Sequence, residues 1–183
     1  MDDKRARFEG QVLPHLDAAY RFARALTGSA ADADDLVQEA CLRAFRGFDG
    51  LRGGDVKAWL LTIVRNCQAS EFRRQQRRAT VPLPEEGEEL ELVAADTVAT
   101  LPEPERATLA ADAQRTLERL LAALPLEQRE VLLLREMEDM SYREIAVVTG
   151  VAIGTVMSRL ARARAALRVR YLADNPGEPR AVR

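Results

Sequence analysis

The chain has 183 residues, 47% of them apolar and 31% charged, with 27 basic against 29 acidic side chains and a formal net charge of −2. Such a composition suits a foldable chain of one ordinary domain or two small ones, and it excludes a disordered polyelectrolyte. No apolar run approaches the ~18–20 residues that cross a bilayer, and "MDDKRARFEGQVL" lacks the apolar core of a secretory leader, so the expectation is a cytoplasmic protein with no direct membrane insertion.

Aromatic residues are only 5% of the chain, and Ala, Leu, Arg and Glu dominate. Helix formers therefore prevail over strand formers. The only cysteines are Cys41 and Cys67 and the only histidine is His15. That stock is too poor for a zinc site or a nucleophile–base pair, and no phosphate-cradling glycine loop occurs. No enzyme, no metal and no cofactor are expected.

The first strong helical pattern is "DADDLVQEACLRAFRGF", residues 32–48, with acids crowded at its start as the helix dipole favours. At ~100° per residue, Val37, Ala40, Cys41, Ala44 and Phe48 share one apolar face. Leu42 points away from it, among Gln38, Glu39, Arg43 and Arg46. An outward leucine ringed by both charge signs is a candidate docking patch, although single exposed leucines are ordinary.

After the glycine-rich turn "GLRGGD" (residues 50–55) comes "VKAWLLTIVRNCQASEFRRQQRR", a long helix apolar at Trp59, Leu60, Ile63, Val64, Cys67 and Phe72. Its second half carries Arg65, Arg73, Arg74, Arg77 and Arg78 against one acid, Glu71. Favourable cation placement at a helix C-terminus needs fewer charges. A phosphate-directed surface, or one that reaches unstacked bases, uses them.

Residues 79–105 contain no Lys or Arg, eight acids, and Pro82, Pro84, Pro102 and Pro104. Prolines with like charges and little apolar periodicity describe an acidic flexible linker. The predicted architecture is therefore all-α: two small helical bundles, residues 5–78 and 107–172, held apart by an anionic tether over 79–106, with a short tail at 173–183.

The second bundle reads as four helices. One stops before Pro125, and a second, opened by Pro125, carries Val131, Leu132, Leu133 and Leu134. Ser141 with Glu144 three places on is a capping-box signature, and Gly150 suits a left-handed helix end. A further helix begins near Ile153–Gly154, so the pair forms a helix-turn-helix. On its wheel Val156, Leu160, Ala163 and Leu167 face the core. Ser158, Ala161, Arg162 and Ala165 face out, with Met157 and Arg159 on the flanks. No Asp or Glu occurs between Glu144 and Asp174, whereas a merely solvated face alternates its charges. A small, hydroxylic and cationic face of this kind fits a DNA major groove. By itself this motif would equally suit a response-regulator-like activator.

Taken together, "DADDLVQEACLRAF", "AWLLTIVRN" with its basic tail, the acidic linker and "LPLEQREVLLLREMEDMSYREIAVVTGVAIGTVMSRLARARAAL" resemble a bacterial RNA polymerase sigma factor of the extracytoplasmic function (ECF, group 4) type in the sigma-70 family, over about residues 8–172. The resemblance implies a sigma-2-like bundle in which Asp35, Gln38, Glu39, Leu42 and Arg46 dock on the beta-prime clamp helices of core polymerase. It implies that Arg52, Lys57, Trp59, Arg65, Asn66, Arg73 and Arg74 read and melt the −10 element. It assigns −35 recognition in a sigma-4-like bundle, also facing the beta flap, to Ser141, Tyr142, Thr155, Met157, Ser158, Arg159, Ala161, Arg162 and Arg164. The linker would thread toward the RNA exit path, and an anti-sigma factor is the expected regulator of a stress- or signal-responsive promoter class. Three positions depart from the pattern. Ser70 stands where Asp is usual, and Met157 replaces a common Lys or Arg. Ala161 leaves a shallow spot that would admit a thymine methyl.

Overall fold

The computed structural model describes residues 2–51, 53–79 and 106–174. Helix α1 spans Asp2–Val12 and leads through a 3-10 turn at Leu13–His15 into α2 (Leu16–Thr27). Helix α3 (Ala30–Gly47) ends in a second 3-10 turn, Phe48–Gly50, before the long α4 (Val56–Ala79). The C-terminal bundle holds α5 (Arg106–Ala122), α6 (Leu126–Glu136), α7 (Tyr142–Thr149) and α8 (Ile153–Asp174). There is no strand among the described residues. Of the expected linker, residues 80–105 lie outside them, as does Arg52, while Ala79 and Arg106 belong to the flanking helices. The final helix runs to Asp174, two residues into the expected tail.

Local chemistry explains the boundaries. The Ser29 hydroxyl accepts from the Asp32 N–H and caps α3, three residues ahead of the acidic run. Pro125 is the N-cap of α6 rather than its first residue, with φ −53° and ψ 140°. Its carbonyl accepts from the Gln128 and Arg129 amides. The capping box at α7 is complete: the Ser141 hydroxyl accepts from the Glu144 amide at 3.3 Å and the Ser141 amide donates to Glu144 Oε2 at 2.7 Å. Gly150 ends α7 at φ 69°, in the left-handed region where a side chain is strained. Helices α7 and α8 then meet at 99°, within the range of a helix-turn-helix.

The predicted core faces are largely those observed. Ala40, Ala44 and Phe48 of α3, Leu60, Val64 and Cys67 of α4, and Val156, Leu160 and Ala163 of α8 are buried. Leu167 is half-buried and packs against this core. Leu36 is buried as well, which widens the α3 stripe beyond the expected one. Phe72 is the exception in α4, with 45% of its surface exposed.

The bundles are not held apart. Helix α4 packs on α7, and α2 packs on α6 and α5, and the buried apolar side chains of both bundles form one core. The physical reason is a second apolar strip on α4. Leu61 is completely buried. It lies between Lys57 and Arg65, four residues to either side, on a face turned from the Leu60–Val64–Cys67 stripe. Arg129 adds a strut. Its guanidinium donates to the Leu26 carbonyl near the end of α2 (2.9 Å) and to the Ala122 and Leu124 carbonyls at the end of α5 (2.6 and 3.2 Å). It thereby satisfies acceptors that helix ends leave over, and its burial pushes the Arg129 pKa down.

The capping box makes a testable statement. Hydrogen bonds from Ser141 hold the Glu144 carboxyl below its ordinary value. A depressed carboxylate contributes stability that is complete above the ordinary glutamate range and is lost as pH falls through the lower folded value. Amide exchange in α7 is expected to accelerate over that acidic window in the parent and to lose this pH dependence in Glu144→Gln. Ser141→Ala is expected to cost about 1 kcal/mol at neutral pH.

Candidate nucleic-acid and polymerase interfaces

Helix α3 presents the first candidate surface. Asp35, Gln38, Leu42 and Arg46 are exposed on one side of it, and Leu42 keeps 54% of its surface in solvent. Glu39 is half-buried and accepts from Arg43 Nε at 2.6 Å. The structure adds Phe45, one turn from Leu42 and 38% exposed. The Phe8 ring meets Phe45 edge-on at 5.2 Å, and Lys4 lies 5.0 Å from its centroid. The signal in the sequence was its i+3 spacing from Leu42. Asp35 and Glu39 also line an open groove between α3 and the second half of α4, closed by Arg43, Gln68, Glu71 and Arg74.

The candidates on α4 divide between two faces. Asn66 and Arg73 point to solvent, and Arg73 donates to the Ala69 carbonyl of its own helix. Arg74 pairs with Glu71 at 3.0 Å. Trp59 is half-buried and packs against the core beside Gly47, so it braces the start of α4 more than it offers a free ring. Lys57 and Arg65 lie on the face that meets the C-terminal bundle. Lys57 Nζ donates to Glu138 Oε2 at 2.8 Å and to the Glu138 carbonyl at 2.9 Å. Arg65 Nε donates to Glu130 Oε2 at 3.1 Å. Arg21 of α2 reaches the same Glu138 carboxylate at 3.1 Å.

Both carboxylates are buried, and sequence reasoning missed them. Glu130 sits among four apolar neighbours in "EVLLL", and Glu138 in the turn after α6, so each reads as an ordinary surface acid. Burial pushes the Glu130 carboxyl up, against the pull of Arg65. Burial also pushes both cysteine thiols up, which makes them weaker nucleophiles at neutral pH.

Helix α8 carries the third surface. Gly154, Met157, Ala161, Arg162, Arg164 and Ala165 are exposed on one continuous side, opposite the buried Val156, Leu160 and Ala163. Met157 is 53% exposed. Ser158 donates to the Thr155 carbonyl at 3.0 Å, and both are half-buried. The arginines differ. Arg159, on the flank, is paired with Glu127 and mostly covered. Arg164 pairs with Glu136 at 2.6 Å. Arg162 has no ion-pair partner among the described residues and extends from the small-residue face. At the start of α7, Tyr142 is half-buried beneath the Arg135 guanidinium (5.6 Å), and the Ser141 hydroxyl serves the cap. Arg143, next to them, is exposed.

No single helix among the described residues is long and apolar enough to cross a membrane. No group of three or more His, Cys, Asp or Glu among them is arranged to hold a metal ion.

Comparison with known proteins places both bundles. The model of sigma-70 region 2 matches residues 12–78, and that of sigma-70 region 4 matches residues 114–167. The chain is 36% identical over 157 residues to the ECF RNA polymerase sigma factor EcfG of Rhodopseudomonas palustris, covering 85% of this chain and 80% of that one. It is 36% identical over 171 residues to the ECF RNA polymerase sigma factor SigE of Mycolicibacterium smegmatis, covering 91% of this chain but only 62% of SigE, so it spans less than two thirds of that relative. Among solved structures it resembles the sigma factor RpoE of Bartonella quintana, crystallised with the anti-sigma factor NepR. That match has a TM-score of 0.70 at 28% identity, over 92% of this chain and 99% of the other. It also resembles CnrH in complex with the cytosolic domain of CnrY, with a TM-score of 0.65 at 25% identity over 93% and 91% of the two chains. Two helical bundles in this order, each matched by its own region model and joined in one chain, make this protein a member of the ECF sigma factors of the sigma-70 family.

Proposed function

We propose that this chain is a specificity subunit that recruits core RNA polymerase to a stress- or signal-responsive class of promoters, itself without catalytic activity and working in the cytoplasm. The observation that carries this reading is that two region-matched bundles offer two chemically different exposed faces. The α3 face pairs the outward Leu42 and Phe45 with charges of both signs, a surface suited to a protein helix pair such as the beta-prime clamp helices. The α8 face is small and cationic around Arg162, which fits base edges and phosphates of the −35 duplex. The second half of α4, with Asn66, Arg73 and Arg74, together with Lys57 and Arg65, supplies the −10 surface. Arg159, tied to Glu127, then acts by holding α8 against α6, while Met157 and Ala161 offer apolar contact to thymine methyls. Control by an anti-sigma factor is carried over from the RpoE–NepR complex.

Leu42→Asp is expected to weaken association with core polymerase by about tenfold or more, since it replaces a docking leucine by a desolvated charge. Far-ultraviolet circular dichroism should be unchanged. Capture by immobilised core polymerase at parental levels would remove the docking role from this face.

Arg162→Ala is expected to cost about 1–3 kcal/mol of promoter binding in the holoenzyme and to relax discrimination at one −35 position. In-vitro transcription over a −35 library reads this directly. A uniform loss across all variants would make Arg162 a phosphate contact instead.

Replacing Arg73 and Arg74 by glutamine should shallow the salt dependence of holoenzyme binding to promoter DNA, by close to one unit of slope for each phosphate no longer neutralised. An unchanged slope would exclude them from the DNA backbone.

A further inference from the structure

We propose that α8 selects its −35 element by the 5-methyl groups of pyrimidines, thymine or 5-methylcytosine, which it meets with the apolar row Ile153, Met157 and Ala161. Arg162 is then the exposed side chain left to donate to a base edge or phosphate beside them. The proposal rests on the assignment of the α8 face to the −35 duplex made above, and it names what that face can distinguish.

Three observations carry it. First, the reading face is poor in donors. Between Ile153 and Ala165 only two exposed side chains, Arg162 and Arg164, carry a hydrogen-bond donor. Second, α6 holds one of those two. Arg164 gives both Nε and Nη2 to Glu136 Oε1, at 3.2 and 2.6 Å. Arg159 is likewise paired with Glu127, and its side chain keeps only 16% of its surface in solvent. The Ser158 hydroxyl is engaged by the Thr155 carbonyl at 3.0 Å. Third, the apolar positions are aligned. Ile153, Met157 and Ala161 follow one another at i, i+4 and i+8 along one side of the helix, and Ile153 and Met157 expose 41% and 53% of their surface. Successive members are about 6 Å apart along the axis, close to two base-pair steps of about 3.4 Å.

Charge supplies the occupant of this row. Helix α8 carries no acid before Asp174, and Arg162 stands beside the row with no ion-pair partner among the described residues. A cation next to apolar side chains is complementary to a duplex, whose phosphates flank the base edges. In the major groove the apolar group on a base edge is the 5-methyl of thymine, or the identical methyl of a methylated cytosine. Methionine, unbranched and polarisable, adapts to such a group, and alanine leaves a shallow seat for it. Neither side chain donates a hydrogen bond, so neither selects the thymine O4 over the cytosine amino group by pairing with it. The methyl itself is what they register. A 5-methylated cytosine is then read as thymine is, whereas uracil is not.

The test changes the DNA before the protein, so folding is not at stake. Holoenzyme is assembled from core polymerase and the parent chain, and its preferred −35 element is selected from a randomised library. Each thymine of that element, on either strand, is then replaced by uracil, which removes the methyl and keeps every hydrogen-bonding group. Uracil at one or two positions should weaken promoter binding by about fourfold, the worth of one buried carbon. Where cytosine stands in for such a thymine, its 5-methylated form should bind about fourfold more tightly than the plain base. Met157→Ala should abolish the uracil effect at one position, and Met157→Arg should replace it there by a preference for guanine of about tenfold. Uracil tolerated at every position, while base changes in the element still matter, overturns methyl reading and leaves −35 recognition by α8 standing. A uracil effect that survives both Met157→Ala and Ala161→Gly unchanged overturns the assignment to this row. A thymine effect without one for 5-methylcytosine overturns the methylcytosine half of the proposal. Indifference to the whole −35 sequence overturns the −35 assignment and the proposal with it.

Discussion

Two buried carboxylates govern how this chain is put together. Glu130 and Glu138 lie at the junction of the bundles, and each faces a cation from the other side, Arg65 for one, Lys57 and Arg21 for the other. Without those cations the acids could not be buried in ionised form, because desolvating a lone carboxylate costs several kcal/mol. Without the acids, the α4 face around Leu61 would set an apolar strip between two unpaired charges. The junction is therefore apolar at its centre and ionic at its margins, and Arg129 knots three helix ends beside it.

That junction explains why the candidate DNA-contacting residues of α4 are not equivalent. A helix passes its side chains around all sides every 3.6 residues, so a cluster of cations in the sequence need not be a cluster in space. Asn66 and Arg73 look outward, while Lys57 and Arg65 look toward the C-terminal bundle. On α8 the same geometry sorts the arginines again. Arg159 and Arg164 are drawn to Glu127 and Glu136 of α6, and Arg162 stands on the open face. Charge density along the chain marks the surface. The partner carboxylates decide which members of it are at hand.

Much of the local structure was legible because its causes are local. The Ser141–Glu144 cap, the Gly150 stop, the break at Pro125 and the acidic opening of α3 each depend on residues within four positions. The outward Leu42 and the inward Val156–Leu160–Ala163 stripe follow from periodicity alone. Phe72 was misread for the opposite reason. Its spacing places it on the strip that contains Leu61, which is buried, but three turns later the ring is left 45% exposed.

The amino-acid sequence by itself determined the helices, their caps and the faces that carry a leucine or an arginine outward, since all of these rest on short-range spacing; the acidic, proline-rich stretch marked the division into two bundles, and motifs along nearly the whole chain carried the resemblance to the family. Only the tertiary structure decided that the bundles touch, that Leu61 is core, and that Glu130 and Glu138 are buried against Arg65 and Lys57. Those contacts join residues 65 to 117 positions apart. Hydropathy cannot forecast them, because a glutamate that will be buried against an arginine has the same composition as one that will face water.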